Sequence, residues 1–252
     1  MKHTWKVAVA VAVLAGSAGV AKADLTLDGQ TGLFINPTAE VAAKGSPEIQ
    51  ANYQRLSTLN THFNTYGIGG AIGVADKLEL SGNYNRTSVE GYHDNSWRVG
   101  AKYQLLQRAE KGFDLAVGGN FGNEGLVEAE IDHYNVYVAG TKAFNSSSTR
   151  APIEGTLGLR WDRFSAYGNN ESKFSVYAGA NVPLNRTGEF SLVGEVGSKI
   201  IDGGETPYSI GLRYHPSNSG FTVGAGLGRP TLLNSAFGGT SWFAQVGYQF
   251  GK

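Results

Sequence analysis

From residue 47 onward, the chain sets an apolar side chain at every second position, in runs of roughly ten residues as membrane strands have. A period of two means extended strands with one apolar face, because successive side chains leave a strand on opposite sides. Trp97, Val99, Ala101, Tyr103 and Leu105 alternate with Arg98, Gly100, Lys102 and Gln104. Phe174, Val176, Ala178, Ala180 and Val182 alternate with Lys173, Ser175, Gly179 and Asn181. Tyr208, Ile210, Leu212 and Tyr214 alternate with Ser209, Gly211 and Arg213. The last run carries Trp242, Ala244, Val246, Tyr248 and Phe250 on one face. Strands are expected over 47–57, 64–74, 77–87, 96–106, 113–121, 133–144, 153–164, 173–183, 189–200, 206–215, 220–227 and 241–250. No helical period is visible in this region, so the chain reads as all-β.

The links between these runs alternate in length. Ala75-Asp76, Gln107 to Gly112, Leu184 to Gly188 and Pro216 to Ser219 form a short set; Arg55 to Phe63, Ser88 to Asn95, Gly122 to Asp132, Ser165 to Ser172 and Gly228 to Ser241 form a longer one. Short turns on one rim and longer loops on the other is the pattern of outer-membrane barrels, with an even strand number and both ends periplasmic. Gln30 to Ile35 has strand character, but parity speaks against a thirteenth span. Residues 24–46 therefore read as a pre-barrel segment, a lumen insert or a periplasmic piece. The expected fold is a single antiparallel up-and-down transmembrane β-barrel of about twelve strands over 47–252.

The N-terminus reads as an export signal. Lys2 and Lys6 give a positive start, Val7 to Leu14 is continuously apolar, and Ala21-Lys22-Ala23 is a small-x-small cleavage site. The apolar run is too short to span a bilayer as a helix, which takes about 20 residues. The mature chain is expected to begin at Asp24. Removing three lysines from a balanced chain of 21 basic and 21 acidic residues leaves a slightly acidic protein. That argues against a nucleic-acid partner, which calls for a basic face. There is no cysteine, so disulfides and thiolate metal sites are excluded.

Alternation alone does not separate a membrane barrel from a soluble one. Export, aromatic residues near strand ends and an alternating aromatic C-terminus favour the membrane. Val246, Tyr248 and Phe250 resemble the C-terminal signal read by the outer-membrane assembly machinery, although Gly251 and Lys252 follow. Thr31-Gly32-Leu33-Phe34-Ile35-Asn36-Pro37-Thr38-Ala39-Glu40-Val41, followed by Gly45, resembles the opening of YjbH-like outer-membrane proteins. That resemblance implies a Gram-negative outer-membrane barrel and a link to exopolysaccharide export.

Lumen-side charges are expected at Lys77, Glu79, Arg98, Lys102, Asp114, Arg160, Asp162, Glu195, Lys199 and Arg213. They would either line a solute-selecting pore or fill a narrow barrel with cross-strand ion pairs. His215-Pro216-Ser217-Asn218 resembles the His-x-Ser-Asn core of outer-membrane lipid hydrolases, but Pro-Ser-Asn-Ser-Gly is ordinary turn chemistry. His62, His93 and His133 show no metal-ligand spacing and read as exposed polar residues. Glu124, Glu128, Glu130 and Asp132 read as a solvated acidic loop, and the glycines at 67, 69, 70 and 73 as an allowance for barrel curvature.

The expectation is a non-enzymatic outer-membrane barrel without cofactor or metal. It is read as a narrow channel or an accessory of surface-polysaccharide export; the alternative is a closed structural or adhesive barrel, and a lipid hydrolase using His215 and Ser217 is a distant third. Its expected partners are outer-membrane lipid, the barrel assembly machinery, and a polysaccharide or small solute.

Overall fold

The computed structural model describes residues 24–58, 61–126, 129–144, 151–167, 169–230 and 232–251. The expected export signal lies outside them. Twelve strands follow in chain order: β1 Pro47–Thr58, β2 Thr61–Ala75, β3 Leu78–Val89, β4 Tyr92–Leu106, β5 Asp114–Leu126, β6 Ala129–Phe144, β7 Ile153–Ala166, β8 Asn169–Pro183, β9 Phe190–Gly197, β10 Tyr208–Tyr214, β11 Phe221–Gly228 and β12 Ser241–Gln249. Two short helices, α1 Arg108–Lys111 and α2 Leu232–Phe237, sit in connections. Each strand pairs antiparallel with its sequence neighbour. The β1–β12 seam, from Glu48↔Gln249 to Leu56↔Ser241, closes the barrel. Both ends of the strand series therefore lie on one rim, here the lower one.

The wall has inverted polarity. Leu157 (70 % exposed), Leu159, Val176, Ile210 and Leu212 face outward, whereas Glu79, Lys102, Asp162 and Gln50 face inward and are buried. A water-soluble barrel does the reverse, because exposing that much contiguous apolar surface to water is unfavourable. In lipid the arrangement is the stable one, since a closed barrel pairs its backbone groups and leaves no sheet edge. Outward aromatics form bands near both rims. Trp97, Phe121 and Tyr134 make a cross-strand ladder in the upper half, with centroids 5.2 and 4.8 Å apart. Phe190 stacks on Tyr214 at 4.4 Å near the lower rim. Val246 and Tyr248 lie on β12, with Phe250 just beyond it and edge-on to Tyr248 at 4.9 Å.

The upper connections differ from expectation. Four of the five longer loops are mostly strand: β1–β2, β3–β4, β5–β6 and β7–β8 remain paired up to links of two residues. Glu90 and Gly91 turn β3 into β4 with positive φ at both, the conformation a two-residue hairpin link demands. The Asn, Ser, Thr and Asp content of these stretches resembles loop composition. Above the membrane, however, a strand pair needs no apolar face to keep its backbone hydrogen bonds. Long connections remain at 198–207 and 229–240.

Residues 24–46 run inside the barrel. They form no spanning strand, only isolated bridges (Leu25↔Thr31, Gly32↔Pro37, Lys44↔Gly73). Leu25, Phe34 and Ala39 are fully buried there. Inward glycines make the room. A Cβ at Gly73 would lie 2.2 Å from the Ala42 carbonyl oxygen, and one at Gly224 or Gly211 would lie 2.9 Å from the Phe34 ring. The glycine-rich β2, read as curvature, thus also clears space for the segment inside.

Candidate functional site

The site is the lumen and the segment that fills it. Buried carboxylates of the wall grip the backbone of residues 24–46. Glu195 on β9 receives the successive N–H groups of Phe34, Ile35 and Asn36 at 2.9, 2.8 and 2.9 Å, and the Asn36 side-chain amide at 2.9 Å. Consecutive N–H groups converging on one anion form a nest, which suits a carboxylate. The Ser209 hydroxyl donates to the same carboxylate at 2.7 Å. Glu79 on β3 accepts from the Thr31 N–H (3.1 Å), the Thr31 hydroxyl (2.6 Å) and the Ala42 N–H (2.8 Å).

Cations of the wall take the carbonyls. The Lys102 ammonium donates to the Thr31 carbonyl at 2.8 Å and pairs with Glu79 at 3.4 Å. Arg213 donates to the carbonyls of Gly32 and Leu33, reaching the latter at 3.0 Å, and lies 5.0 Å over the Phe34 ring. Neutral donors add to the set: Gln245 to the Leu25 carbonyl, Gln50 to Thr26, Asn52 and Asn83 to Leu27 and Tyr177 to Pro37. Apolar contacts accompany them, at Leu25 and Ala42 against Ala71, at Ala39 against Ala116 and Tyr137, and most of all at Phe34. Phe34 meets Phe243 edge-on at 4.9 Å, in a cluster with Leu27, Leu33 and Val193.

Above this grip, Arg98 bridges Asp28 of the segment to Glu124 of β5. His133 lies beneath, its Nδ1 3.2 Å from Arg98 and its Nε2 2.9 Å from Asp162. The expectation that His133 is exposed is corrected here: it faces inward on β6, is buried, and stacks on Phe164. Arg160 completes the group, donating to Asp162 at 2.8 Å and to Asn36 at 3.4 Å. At the lower rim the guanidinium of Arg108, on α1, joins Asp114, Glu154 and the segment's Glu40. At the upper rim a cavity of about 420 Å³ is lined by Ile131, Phe164, Asn169, Glu171, Ile201 and Leu232.

Eight of the ten expected lumen charges thus project inward: Glu79, Arg98, Lys102, Asp114, Arg160, Asp162, Glu195 and Arg213. Lys77 sits instead in the turn before β3, and Lys199 is exposed in the β9–β10 connection. For both, the alternation runs on past the end of the strand. Of the acidic stretch, Glu124 faces Arg98, while Glu130 and Asp132 are exposed. Glu48, Arg108, Thr141 and Tyr177 were not singled out, although the inward register of β1, β6 and β8 holds three of them. His215 and Ser217 do not address one another. His215 Nδ1 lies 2.8 Å from the Thr222 hydroxyl, and the Ser217 hydroxyl donates to Glu189 at 2.6 Å. The hydrogen bonds from the Ser217 side chain and backbone hold the Glu189 carboxyl below its usual range.

No protein-family model and no curated protein matches the sequence. Among solved structures the barrel is similar to the KdgM porin in complex with disordered oligogalacturonate (14 % identity, TM-score 0.54, 82 % of this chain and 99 % of that one). It is also similar to the NanC porin (14 %, 0.52, 82 % and 100 %) and to the outer membrane protein Omp33 of Acinetobacter baumannii (11 %, 0.50, 81 % and 98 %). At these identities the likeness is one of fold.

Proposed function

We propose that the protein is an outer-membrane channel held closed by its own N-terminal segment. The carrying observation is how the segment is held: the wall's charged and amide side chains bond to its backbone rather than bury it in a continuous apolar core. Such bonds exchange for water at a net cost of about 0.5–1.5 kcal/mol each for the amides and about 1.5–3 kcal/mol for the charged groups. A segment held this way can leave a lumen that fills with water behind it. The lower rim, where the strand series begins and ends, faces the periplasm. Val246, Tyr248 and Phe250 are read by the assembly machinery, and the apolar belt meets outer-membrane lipid. The emptied lumen presents charges of both signs and many amides, which suits small polar solutes or sugar chains better than one class of ion. The oligogalacturonate held by the KdgM porin is a precedent for that fold, and a role beside surface-polysaccharide export is compatible with the same conduit.

One observation favours a second reading, a permanently closed structural barrel: Phe34, Leu33 and Leu27 are buried in an apolar cluster. A disulfide lock decides between the two. The Ala39 N–H donates to the Thr141 hydroxyl at 3.0 Å, so segment and wall touch at this pair, the place to try a cross-link. The chain has no cysteine of its own, so Ala39→Cys with Thr141→Cys forms one defined bond. In planar bilayers the parent opens intermittently, the oxidised pair stays silent, and reductant restores the openings. Silence of the parent and of the reduced pair at every voltage leaves the closed barrel.

A further inference from the structure

At the lower end of β1, Glu48 points into the lumen and is 2 % exposed. Its Oε2 is buried without a hydrogen-bond partner among the described residues. Its cross-strand neighbours leave it unanswered: Ala71 on β2 is apolar, and the Gln249 amide on β12 donates nothing to Oε2, its own oxygen being buried and unpartnered like that of Gln245. The nearby ammonium of Lys102 is taken up by Glu79 and the Thr31 carbonyl. A buried carboxylate without a partner is costly, because it has surrendered its hydration for nothing. What this corner lacks is a compact cation with several N–H donors. Among the described residues no set of metal-ligating side chains converges there.

The segment's first described residue is delivered to this corner. Leu25 packs with Ala42 and with Ala71, the register partner of Glu48. The Leu25 carbonyl accepts from Gln245 at 3.4 Å. Asp24 is near enough for its own carboxylate, a like charge, to act on Glu48, and that side chain is 3.5 Å from Arg213. We propose that the missing cation is the α-ammonium group of Asp24, created when the chain is cut after Ala23, and that this new N-terminus is buried in the lumen as the ion-pair partner of Glu48. The uncut chain has only a neutral amide N–H at that position. A free ammonium has three donors and a charge, which matches a carboxylate flanked by amide oxygens. The proposal rests on the cleavage site read from Ala21-Lys22-Ala23 and is independent of whether the lumen ever opens.

The test uses barrel purified from outer membranes. N-terminal sequencing and intact mass establish the first residue. The folded protein in micelles is then treated near neutral pH with 2-pyridinecarboxaldehyde, which labels α-amines, and compared with heat-unfolded protein. The expected first residue is Asp24, labelled at least roughly tenfold more slowly in the folded state because the amine is occluded and held charged. Glu48→Gln, and separately a Gly-Ser insertion after Ala23 that carries the amine away from the corner, bring the folded rate close to the unfolded one. If Glu48→Gln gives no heat-modifiable barrel, the insertion carries the test. Equal labelling of folded and unfolded parent overturns the burial. Protection that survives in both variants overturns the pairing with Glu48. A first residue other than Asp24 overturns the cleavage reading itself, and the mass alone reveals it.

Discussion

Glu195→Gln keeps the shape of the side chain that grips the segment and removes its charge. In the parent, Oε1 accepts from the N–H groups of Phe34 and Ile35 and from the Ser209 hydroxyl, and Oε2 accepts from both nitrogens of Asn36. An amide has one oxygen. Placed at Oε1, it leaves the two Asn36 donors facing an NH₂ group; placed at Oε2, it strands three donors. Hydrogen bonds to a charged group are worth about 1.5–3 kcal/mol each, so losing two costs roughly 3–6 kcal/mol. Water that follows the loosened backbone recovers part of this. We expect about 3 kcal/mol against docking, close to a hundredfold in the docked-to-undocked ratio. Hydrogen exchange read by mass spectrometry over residues 30–38 measures it: protection there falls by roughly two orders of magnitude while the strands keep theirs. Open probability in planar bilayers rises in parallel. Glu130→Gln, an exposed carboxylate, is the control. If Glu195→Gln matches the parent in both protection and openings, the carboxylate does not hold the segment and the account of its docking fails.

Other expectations follow from the same geometry. Phe34→Ala empties a fully buried site against Phe243 and beneath Arg213 and costs about 3–5 kcal/mol, read as faster proteolysis of residues 24–46 in the folded barrel. Leu159→Arg places a charge on the outward face beside Val138 and Val176; stability measured in lipid vesicles falls by about 2–4 kcal/mol, whereas a neutral result contradicts a lipid-facing wall. Ser217→Ala removes a donor to Glu189 in a turn, and neither parent nor variant hydrolyses phospholipid; an activity present in the parent and lost in the variant restores the hydrolase reading. Because the Glu189 carboxyl is held low in the folded state, its contribution to that turn is complete above the ordinary carboxylate range. It disappears as the pH falls through the folded value, and Ser217→Ala, which keeps the backbone N–H bond to Glu189, weakens that dependence.

The strands were legible because their signal is local. From Trp97 to Leu105, each residue declares its side of the wall by its own polarity, and twelve such runs, counted with their links, lead to a closed sheet. What lies across the lumen is not local. Glu195 and Asn36 are 159 residues apart, and no spacing rule pairs them. His133 read as a surface histidine because its partner Asp162 is on the next strand and Arg98 is two strands back. Lys77 and Lys199 show the opposite failure: alternation continues in sequence where the backbone has already left the sheet. The family-like stretch from Thr31 to Val41 marked the segment as unusual, but only the wall explains its residues. Thr31 answers Glu79, Asn36 answers Glu195 and Phe34 fills the gap beside Gly211 and Gly224.

The filled lumen also bears on how such a barrel is assembled. A chain delivered N-terminus first presents residues 24–46 before any strand exists, and the β1–β12 seam is the last pairing available to it. The anchors on β3, β4, β9 and β10 can therefore gather on the segment while the sheet is still open, each new stave added against a ready-made mandrel. Closing the seam then traps the mandrel, tethered through Ser46 to the first stave. A wall that carries this many buried charges gains a folding route in which those charges meet their partners before the lipid does.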